Sequence, residues 1–412
     1  MKESKTIRLC FLPATITFWF FVVLESILIW NSFEIIFRVL SFLTMTVASF
    51  WVLRINKEIK RNSFNFFFVT SIFFLWLTFT MSENFSQVLS YFVKYVPLFL
   101  VLFWPVDIIC KSYKFIRFVV IFFAVGGAVV SIMTITDLIS HIPYYVIPPQ
   151  ETLHERLGCD YHVYGVFPTL NSPSALVTGV RACGMMKEPG HFAIILGYIY
   201  LIDRYLGNKI NLWIIIAGIL TFSSTFFIIA FFTEIRYIFK KKFIVKVIKY
   251  APLIVLLLIS VYFILPSGIR DQINYLFFER NLAEVVDALN TSSSLSEGLD
   301  MRANVTSVST YEHISTLQFW TGGVEFDSSL SLADYRGLIL RIGLIGVILS
   351  FLTYVSATGG GGKALRISLV LIYLLIIAHR SWMLQAPYLY FLSFLVVTVY
   401  SFSQKTKSRV RI

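Results

Sequence analysis

The chain has 412 residues, of which 57% are hydrophobic and 14% are charged, and its formal net charge is +12. Soluble globular domains carry about 25% charged residues, so this composition excludes an ordinary water-soluble enzyme or binding domain. Apolar runs recur along the chain, and most approach the ~20 residues that cross ~30 Å of hydrocarbon as a helix. The sequence therefore predicts an all-α polytopic membrane protein, with residues 1–412 forming a single integral membrane domain.

About twelve transmembrane helices are predicted from these runs. They cover residues 10–30, 33–53, 64–82, 87–104, 118–138, 190–205, 210–220, 223–235, 247–265, 337–357, 367–384 and 386–402. Short clusters of Lys and Arg separate many of the runs and occur at both termini, and the positive-inside rule assigns such clusters to the cytoplasm. The basic balance is thus explained by membrane topology, and no nucleic-acid partner is predicted.

Residues 210–235 allow two arrangements. Basic clusters flank this stretch on both sides, so one full crossing would leave one cluster on the outer face. Two short helices that meet at the polar "TFSST", residues 221–225, avoid that conflict. We favour the two-helix arrangement and keep the single crossing as the alternative.

Two connections are much longer than the others, and both are predicted on the outer, extracytoplasmic face. They cover residues 140–189 and 266–336. The second contains four arginines among ten acidic residues, and all six histidines of the chain fall on or just beneath the outer face. The sequence therefore predicts external chemistry or external binding. Cys159 and Cys183 share the first loop, where an oxidising compartment would permit a disulfide, but their spacing leaves the pairing open.

The stretch "RACGMMKEPGHFA" brings four ionisable side chains to the mouth of an apolar helix, namely Arg181, Lys187, Glu188 and His191. Pro189 suits the first helical position and Glu188 the N-cap, so this helix is predicted to begin at the outer surface and run inward. Its positive dipole end favours an anion by about 0.3–2 kcal/mol. That anion is either an external ligand or Glu188 itself, with Arg181 and Lys187 as ordinary interface charges.

Other cations lie near the outer ends of their predicted spans. They are Lys94, Arg341 and Arg380. Ionisable groups in hydrocarbon cost about 2.5–3.5 kcal/mol on the insertion scale and usually face an interior cavity. Each of these side chains alone can snorkel to the interface, but together they predict one anionic ligand at the outer leaflet. The phosphates of a lipid-linked substrate fit, because arginine offers bidentate donors to them.

The stretch "TGGVEFDSSLSLADYRGLILRIGLIG" leads from the second long loop into a span. Gly322 and Gly323 predict a tight turn, and Gly343 with Gly346 predicts close helix packing. Asp334 is either a general base or a cap of the next helix.

No metal or nucleotide motif occurs in the chain. The sequence contains no CxxC, no HExxH, no P-loop and no GxGxxG. Because these spacings are what metal and phosphate cofactors usually require, neither a metal site nor a cofactor is predicted.

These stretches, in this order, resemble the O-antigen polymerases, which are Wzy-type bacterial membrane glycosyltransferases, and more distantly the O-antigen ligases. The resemblance rests on "RACGMMKEPGHFA" opening a span, on "LTFSST" at a break between two short helices, and on the glycine-rich stretch after the second loop. It implies a GT-C-like, metal-independent transferase of the bacterial inner membrane with its active site facing the periplasm. Undecaprenyl-pyrophosphate-linked glycans would be donor and acceptor, and the partners would include membrane lipid and a chain-length regulator protein.

The resemblance also implies roles for individual residues. The catalytic candidates are Glu188, Asp334 and His191. The candidates for pyrophosphate binding are Arg181, Arg302, Arg280, Arg336, Arg341, Arg380 and Lys94. Ala333 replaces the serine of the family's "SD"-like segment, and no histidine lies between His313 and His379, where ligases carry one. These departures leave the catalytic base open and argue against a ligase.

Two other functions remain as alternatives, a lipid-linked oligosaccharide flippase or exporter and an O-antigen ligase. An exporter would also be a basic protein of about twelve spans with phosphate-binding arginines. It needs no large loops on one side, however, and more often shows two similar halves, whereas this chain has no internal repeat. The sequence therefore favours a polymerase.

Overall fold

The structure is a computed structural model of the chain. It describes residues 2–24, 27–55, 61–80, 85–136, 138–139, 141–147, 160–174, 177–186, 188–207, 211–238, 256, 260, 262–263, 270, 274, 311, 313–324, 335–360, 362–379 and 387–410. Within these residues the protein is mainly helical.

Twelve helices lie in the described residues. They are α1 Lys2–Val23, α2 Ile27–Ile55, α3 Arg61–Thr80, α4 Phe85–Val101, α5 Val106–Ile135, α6 Pro189–Leu206, α7 Leu212–Leu220, α8 Ser224–Ile238, α9 Thr316–Thr321, α10 Tyr335–Ala357, α11 Lys363–His379 and α12 Pro387–Val410. Three segments of this described part are long and apolar enough to cross a membrane, and they are Ile36–Arg54, Val106–Thr134 and Tyr335–Ala357.

The prediction of a helical membrane protein is confirmed in this coarser form. The number of about twelve spans and the GT-C-like arrangement stay predictions. The predicted span 247–265 lies almost entirely outside the described residues.

By their internal contacts the residues form two units. Unit 1 comprises Met1–Val120, Ile202–Lys209 and Ala303–Ile412, and unit 2 comprises Ile121–Leu201 and Ile210–Arg302. The single membrane domain over residues 1–412 stays a prediction.

In unit 1, α10 packs against α3, α11 and α12, while α2 packs against α1 and α4. A buried hydroxyl network joins three of these helices. The Ser350 hydroxyl is hydrogen-bonded to the hydroxyls of Tyr373 and Tyr390, each at 2.7 Å. Because burial of a polar group costs free energy unless the group is hydrogen-bonded, this network ties α10 to α11 and α12.

An ion pair within unit 1 joins α5 to α6. Arg117 donates from Nε to both carboxylate oxygens of Asp203 at 3.0 and 3.1 Å, and from Nη2 at 2.9 Å. The Tyr113 hydroxyl donates to the same carboxylate at 3.3 Å. Asp203 is fully buried, and loss of one partner of a buried pair costs about 3–5 kcal/mol. The pair therefore fixes how these two helix segments align.

In unit 2, the first long loop folds as a four-stranded antiparallel sheet, which the sequence analysis did not predict. The strands are β1 Tyr145–Ile147, β2 Asp160–Tyr164, β3 Phe167–Ser174 and β4 Val177–Ala182, in the order β1-β2-β3-β4. Gly165 has a φ of 64° in the two-residue turn between β2 and β3, a position that favours glycine. The predicted helical protein thus carries a small sheet between α5 and α6 in the chain.

Candidate functional site

Helix α6 begins where the sequence predicts. Pro189 is its first residue, and the Glu188 carbonyl accepts from the backbone N–H groups of His191 and Phe192 at 3.1 and 3.3 Å. Glu188 therefore occupies the N-cap position, and Pro189 loses nothing by lacking an N–H. Just before the helix, Gly184 has a φ of 62°, and a side chain there would collide with the Phe192 ring. The predicted helix start and its N-cap residue are confirmed.

The predicted break within residues 210–235 is also confirmed, because α7 and α8 are separate helices. Between them, Phe222 has a φ of 47° and is the one non-glycine residue with positive φ in the described part of the chain. Such a backbone costs about 1–3 kcal/mol and persists only where the surrounding structure imposes it. The Ser223 carbonyl accepts from the Phe226 N–H at 3.2 Å, so Ser223 is the N-cap residue of α8.

Arg181, a candidate for pyrophosphate binding, lies on β4 and is only 7% exposed. Its Nε donates to the Thr221 carbonyl at 3.0 Å, and its Nη2 donates to the Phe222 carbonyl at 3.3 Å. These carbonyls follow the last turn of α7, where the negative dipole end favours a cation. The structure thus gives Arg181 a capping contact with the helix break that sequence reasoning missed.

Two hydroxyls at the start of α8 are buried without a hydrogen-bond partner. They are Ser223 Oγ and Thr225 Oγ1, on residues that are 3% and 2% exposed. A buried hydroxyl without a partner costs about 1–3 kcal/mol, and such groups are rare in native proteins. An N-cap serine normally accepts from an N–H of its own helix, a bond that Ser223 does not make. The start of α8 therefore holds unused donors at the positive end of a helix dipole.

The backbone between β4 and α6 is buried as well. Cys183 is a free thiol that donates to the Arg181 carbonyl at 3.4 Å. Burial raises the pKa of this thiol to about 12, so it stays protonated at neutral pH. Cys159, the other cysteine of the first loop, lies outside the described residues.

Two catalytic candidates belong to the same segment as Arg181. His191 is buried in the first turn of α6, and Glu188 is half-buried at its N-cap. Both lie in unit 2, in the continuous chain that runs from β4 into α6. The third candidate, Asp334, lies outside the described residues.

Three of the remaining cations are described, and all belong to unit 1. Lys94 is half-buried on α4, and Arg336 and Arg341 are half-buried on the first turns of α10. The other candidates lie outside the described residues, and they are Arg280, Arg302 and Arg380. That these cations share one ligand stays a prediction. Across the described ranges no group of three or more His, Cys, Asp or Glu is suited to hold a metal ion, and metal independence also stays a prediction.

Helix α10 in unit 1 contains a break of its own, at Gly343. This glycine has a φ of 67° and a ψ of 171°, and a side chain there would collide with the Trp320 carbonyl. The Ile342 carbonyl just before the break accepts from Trp76 Nε1 at 2.7 Å. The sequence predicts Gly343 only as a packing position, whereas the structure shows that it interrupts the helix, because glycine adopts positive φ without strain.

The turn that precedes α10 in the chain lies against this break. Gly322 and Gly323 have φ values of 72° and 79°, as the predicted tight turn requires. The Gly323 N–H donates to the Arg341 carbonyl, and the Val324 N–H donates to the Leu340 carbonyl, both at 3.1 Å. Carbonyls at the end of the first helical segment are therefore bonded by neighbouring backbone.

Comparisons with protein-family models, with curated protein sequences and with solved structures found no match. The family resemblance therefore continues to rest on the sequence motifs. The candidate site rests on its own geometry.

Proposed function

We propose that the protein is a membrane glycosyltransferase that polymerises undecaprenyl-pyrophosphate-linked oligosaccharide repeat units into O-antigen or a related surface polysaccharide. The reaction would occur at the outer face of the bacterial inner membrane. The observation that carries this proposal is the α7–α8 break, where a buried arginine and two hydroxyls without partners surround the start of a helix in an apolar protein. The order of the sequence motifs supports the same function.

The break offers the donors that a pyrophosphate group needs. Ser223 and Thr225 each carry a hydroxyl, and the first N–H groups of an α-helix have no partner within the helix. Arg181 adds a full positive charge beside them. Donors of this kind stabilise charge as it develops on a leaving group, and loss of one typically slows a reaction by about 10²–10³-fold.

The reaction would be a substitution at an anomeric carbon. A sugar hydroxyl of the acceptor attacks that carbon, the bond to the pyrophosphate oxygen breaks, and its electron pair leaves with undecaprenyl pyrophosphate. The proton of the attacking hydroxyl passes to a carboxylate or an imidazole. Glu188 and His191 are the described candidates for this step, and Asp334 remains the third.

A deletion strain separates this function from the second candidate, an exporter, which deserves a test because discontinuous helices are also common in transporters. Cells without a polymerase display single-unit caps, whereas cells without a flippase display none. We expect the deletion to leave single-unit caps and the intact gene to restore long glycan. Complete absence of surface repeat units in the deletion strain would overturn the polymerase and favour the exporter.

Variants of α8 then test the break itself, in the same strain. Ser223→Ala and Thr225→Val remove the hydroxyls that lack partners. Thr233→Val is the matched control, because it removes a buried hydroxyl of the same helix that donates to the Ile229 carbonyl at 2.7 Å. Long glycan should be lost or shortened in the first two variants and retained in the control. Equal glycan in all three, at equal protein levels in the membrane, would contradict a role for the break.

A further inference from the structure

The sheet of unit 2 lies beside α5 and not beyond its end. The Phe167 ring at the start of β3 contacts the rings of Phe122 and Phe123, with centroids 5.2 and 5.9 Å away. Tyr164 at the end of β2 packs in one buried cluster with Val130. The β2–β3 hairpin therefore lies against the middle turns of α5.

These contact positions fall inside the apolar span of α5. The segment Val106–Thr134 is long and apolar enough to cross a membrane. Its last basic residue, Arg117, marks the cytoplasmic end by the positive-inside rule. From Phe118 to Ile135 the helix rises about 27 Å at ~1.5 Å per residue, which is close to the ~30 Å thickness of the hydrocarbon. The α5 residues that hold the hairpin are therefore at hydrocarbon depth.

The sheet and the segment before it expose an apolar surface, which we call the lipid-facing patch. Its members are all at least 40% exposed, and they are Leu138, Ile142, Tyr144, Tyr145, Val146 and Val166. On α5 itself, Val129 is 38% exposed and Ile132 is 42% exposed. Exposed apolar side chains grouped in this way indicate an interaction surface, and here they lie beside an apolar span.

We propose that the sheet is seated within the bilayer beside α5, with the β2–β3 turn against acyl chains and β1 nearer to the outer headgroups. Val166 contacts acyl chains because its neighbour Phe167 packs beside Phe122 and Phe123. Tyr144 and Tyr145 suit the headgroup region, because tyrosine combines an apolar ring with a hydroxyl that stays hydrated.

The strand pairing satisfies the backbone of the two central strands at this depth. Such backbone is stable at membrane depth only where its polar groups are bonded within the protein. Strands β2 and β3, which form the deepest hairpin, each pair with a strand on both sides.

A glycan fits the patch less well than lipid, because Tyr144 and Tyr145 are flanked by the aliphatic Ile142 and Val146.

The seating does not depend on the proposed enzymatic function, but it has a consequence for that function. Arg181 lies on β4, which pairs with β3 of the same sheet. The sheet would therefore hold this arginine within the membrane, so that a lipid-linked donor need not leave it.

Spin labels in proteoliposomes test the seating. Val166→Cys and Tyr145→Cys carry the label, Val129→Cys on α5 is the hydrocarbon reference, and Gln404→Cys, which is exposed near the end of α12, is the aqueous reference. The other cysteines are replaced by alanine except Cys183, which is buried and has little reactive thiolate. The label at 166 should match the one at 129, with high accessibility to oxygen and low accessibility to a water-soluble nickel complex. The label at 145 should be intermediate.

Nickel accessibility at 166 equal to that at 404 would overturn the proposal. Spin–spin broadening between copies at 166 would also overturn it and assign the patch to a second copy of the chain. Protection of the label at 166 from the nickel complex only after a lipid-linked glycan is added would overturn it as well and assign the patch to the glycan. Should the cysteine variants fail to fold, Val166→Trp and Gln404→Trp provide a second measurement. Brominated acyl chains should quench the added fluorescence at 166 and not at 404, and no quenching at 166 would likewise overturn the seating.

Discussion

In unit 1, helix α10 is interrupted at Gly343, and in unit 2 the chain is interrupted between α7 and α8 at Phe222. At the first break the residue is a glycine, which adopts its φ of 67° without strain. The carbonyls before it accept from the Trp76 indole at 2.7 Å and from the Gly323 backbone at 3.1 Å. Both donors are uncharged, and both belong to the protein.

At the second break the residue is a phenylalanine held at a φ of 47°. The carbonyls there accept from the charged guanidinium of Arg181, which is buried. The Ser223 and Thr225 hydroxyls beside them have no hydrogen-bond partner.

The difference between the two breaks indicates which of them serves packing and which of them serves binding. A break that serves packing alone can be made from glycine and neutral hydrogen bonds. A strained backbone, a buried charge and buried hydroxyls without partners each destabilise a fold, and proteins retain such features mainly at functional sites. We therefore expect the break at Gly343 to serve packing, and we propose ligand binding at the break at Phe222.

The largest expected effect is at Arg181. We expect Arg181→Ala to reduce polymerisation by about 10²–10³-fold, because a donor to the leaving pyrophosphate is lost. Arg302→Ala, in the second long loop, is predicted from the family resemblance to have a similar effect. The measurement is the length of surface glycan in cells with equal amounts of membrane-inserted protein, and full-length polymer from both variants would refute these assignments.

Arg181→Gln separates the charge of this residue from its capping contact. Glutamine can still donate to a carbonyl at the break, so the thermal unfolding midpoint should stay closer to wild type than that of Arg181→Ala. Long glycan should nevertheless be absent, because the positive charge is gone. A stable and fully active Arg181→Gln protein would restrict Arg181 to a structural role.

The next largest effect is expected from variants at the start of α8, in which stability and activity change in opposite directions. Ser223→Ala combined with Thr225→Val should raise the stability of the ligand-free protein, because each buried hydroxyl without a partner costs about 1–3 kcal/mol. Polymerisation should fall by roughly tenfold or more, since a hydrogen bond to a charged group contributes about 1.5–3 kcal/mol. Thr233→Val should show the reverse, lower stability with unchanged activity. A double variant that is less stable than wild type and equally active would make this break a packing feature.

At Gly343 we expect a loss of stability without a selective effect on chemistry. Gly343→Ala forces a side chain toward the Trp320 carbonyl in a backbone conformation that costs about 1–3 kcal/mol for non-glycine residues. Trp76→Phe removes one hydrogen bond and should cost about 0.5–1.5 kcal/mol. Thermal unfolding and activity per folded molecule check both variants. Loss of activity in folded Gly343→Ala protein at normal stability would contradict the assignment of packing to this break.

The smallest expected effect is a pH dependence in the sheet of unit 2. Burial lowers the pKa of His162, whose ring stacks on Tyr144 with centroids 4.5 Å apart. The folded sheet therefore binds a proton less readily than the unfolded chain, and stability should decrease as the pH falls below about 6.5. His162→Gln should weaken this decrease. Unfolding midpoints measured across that range would contradict the assignment if wild type and variant lost stability equally.

Some features of the site are predictable from sequence because they depend on neighbours in the chain. A proline after a capping residue fixes the start of α6 at Pro189. The break between α7 and α8 follows from the basic clusters on both sides and from the polar "TFSST", and the turn at Gly322 and Gly323 follows from paired glycines.

Other features depend on contacts that sequence patterns do not reveal. Strand β3 reads "FPTLNSPS", whose two prolines argue against a central strand, yet it pairs on both sides. The carbonyl partners of Arg181 lie 40 and 41 residues further along the chain. Four of the five residues in "TFSST" carry hydroxyls, but the pattern does not indicate that Ser223 and Thr225 are the ones without partners.

The claim that the α7–α8 break binds a lipid-linked pyrophosphate is tested most directly with purified protein in lipid nanodiscs. The substrate is a synthetic undecaprenyl-pyrophosphate repeat unit, supplied without added metal, and the measurement is the ladder of lengthening products. Wild-type protein and Thr233→Val should form the ladder at the same rate, whereas Ser223→Ala with Thr225→Val should form it at least about tenfold more slowly, at equal or higher stability. A ladder formed at the wild-type rate by that double variant would contradict the claim.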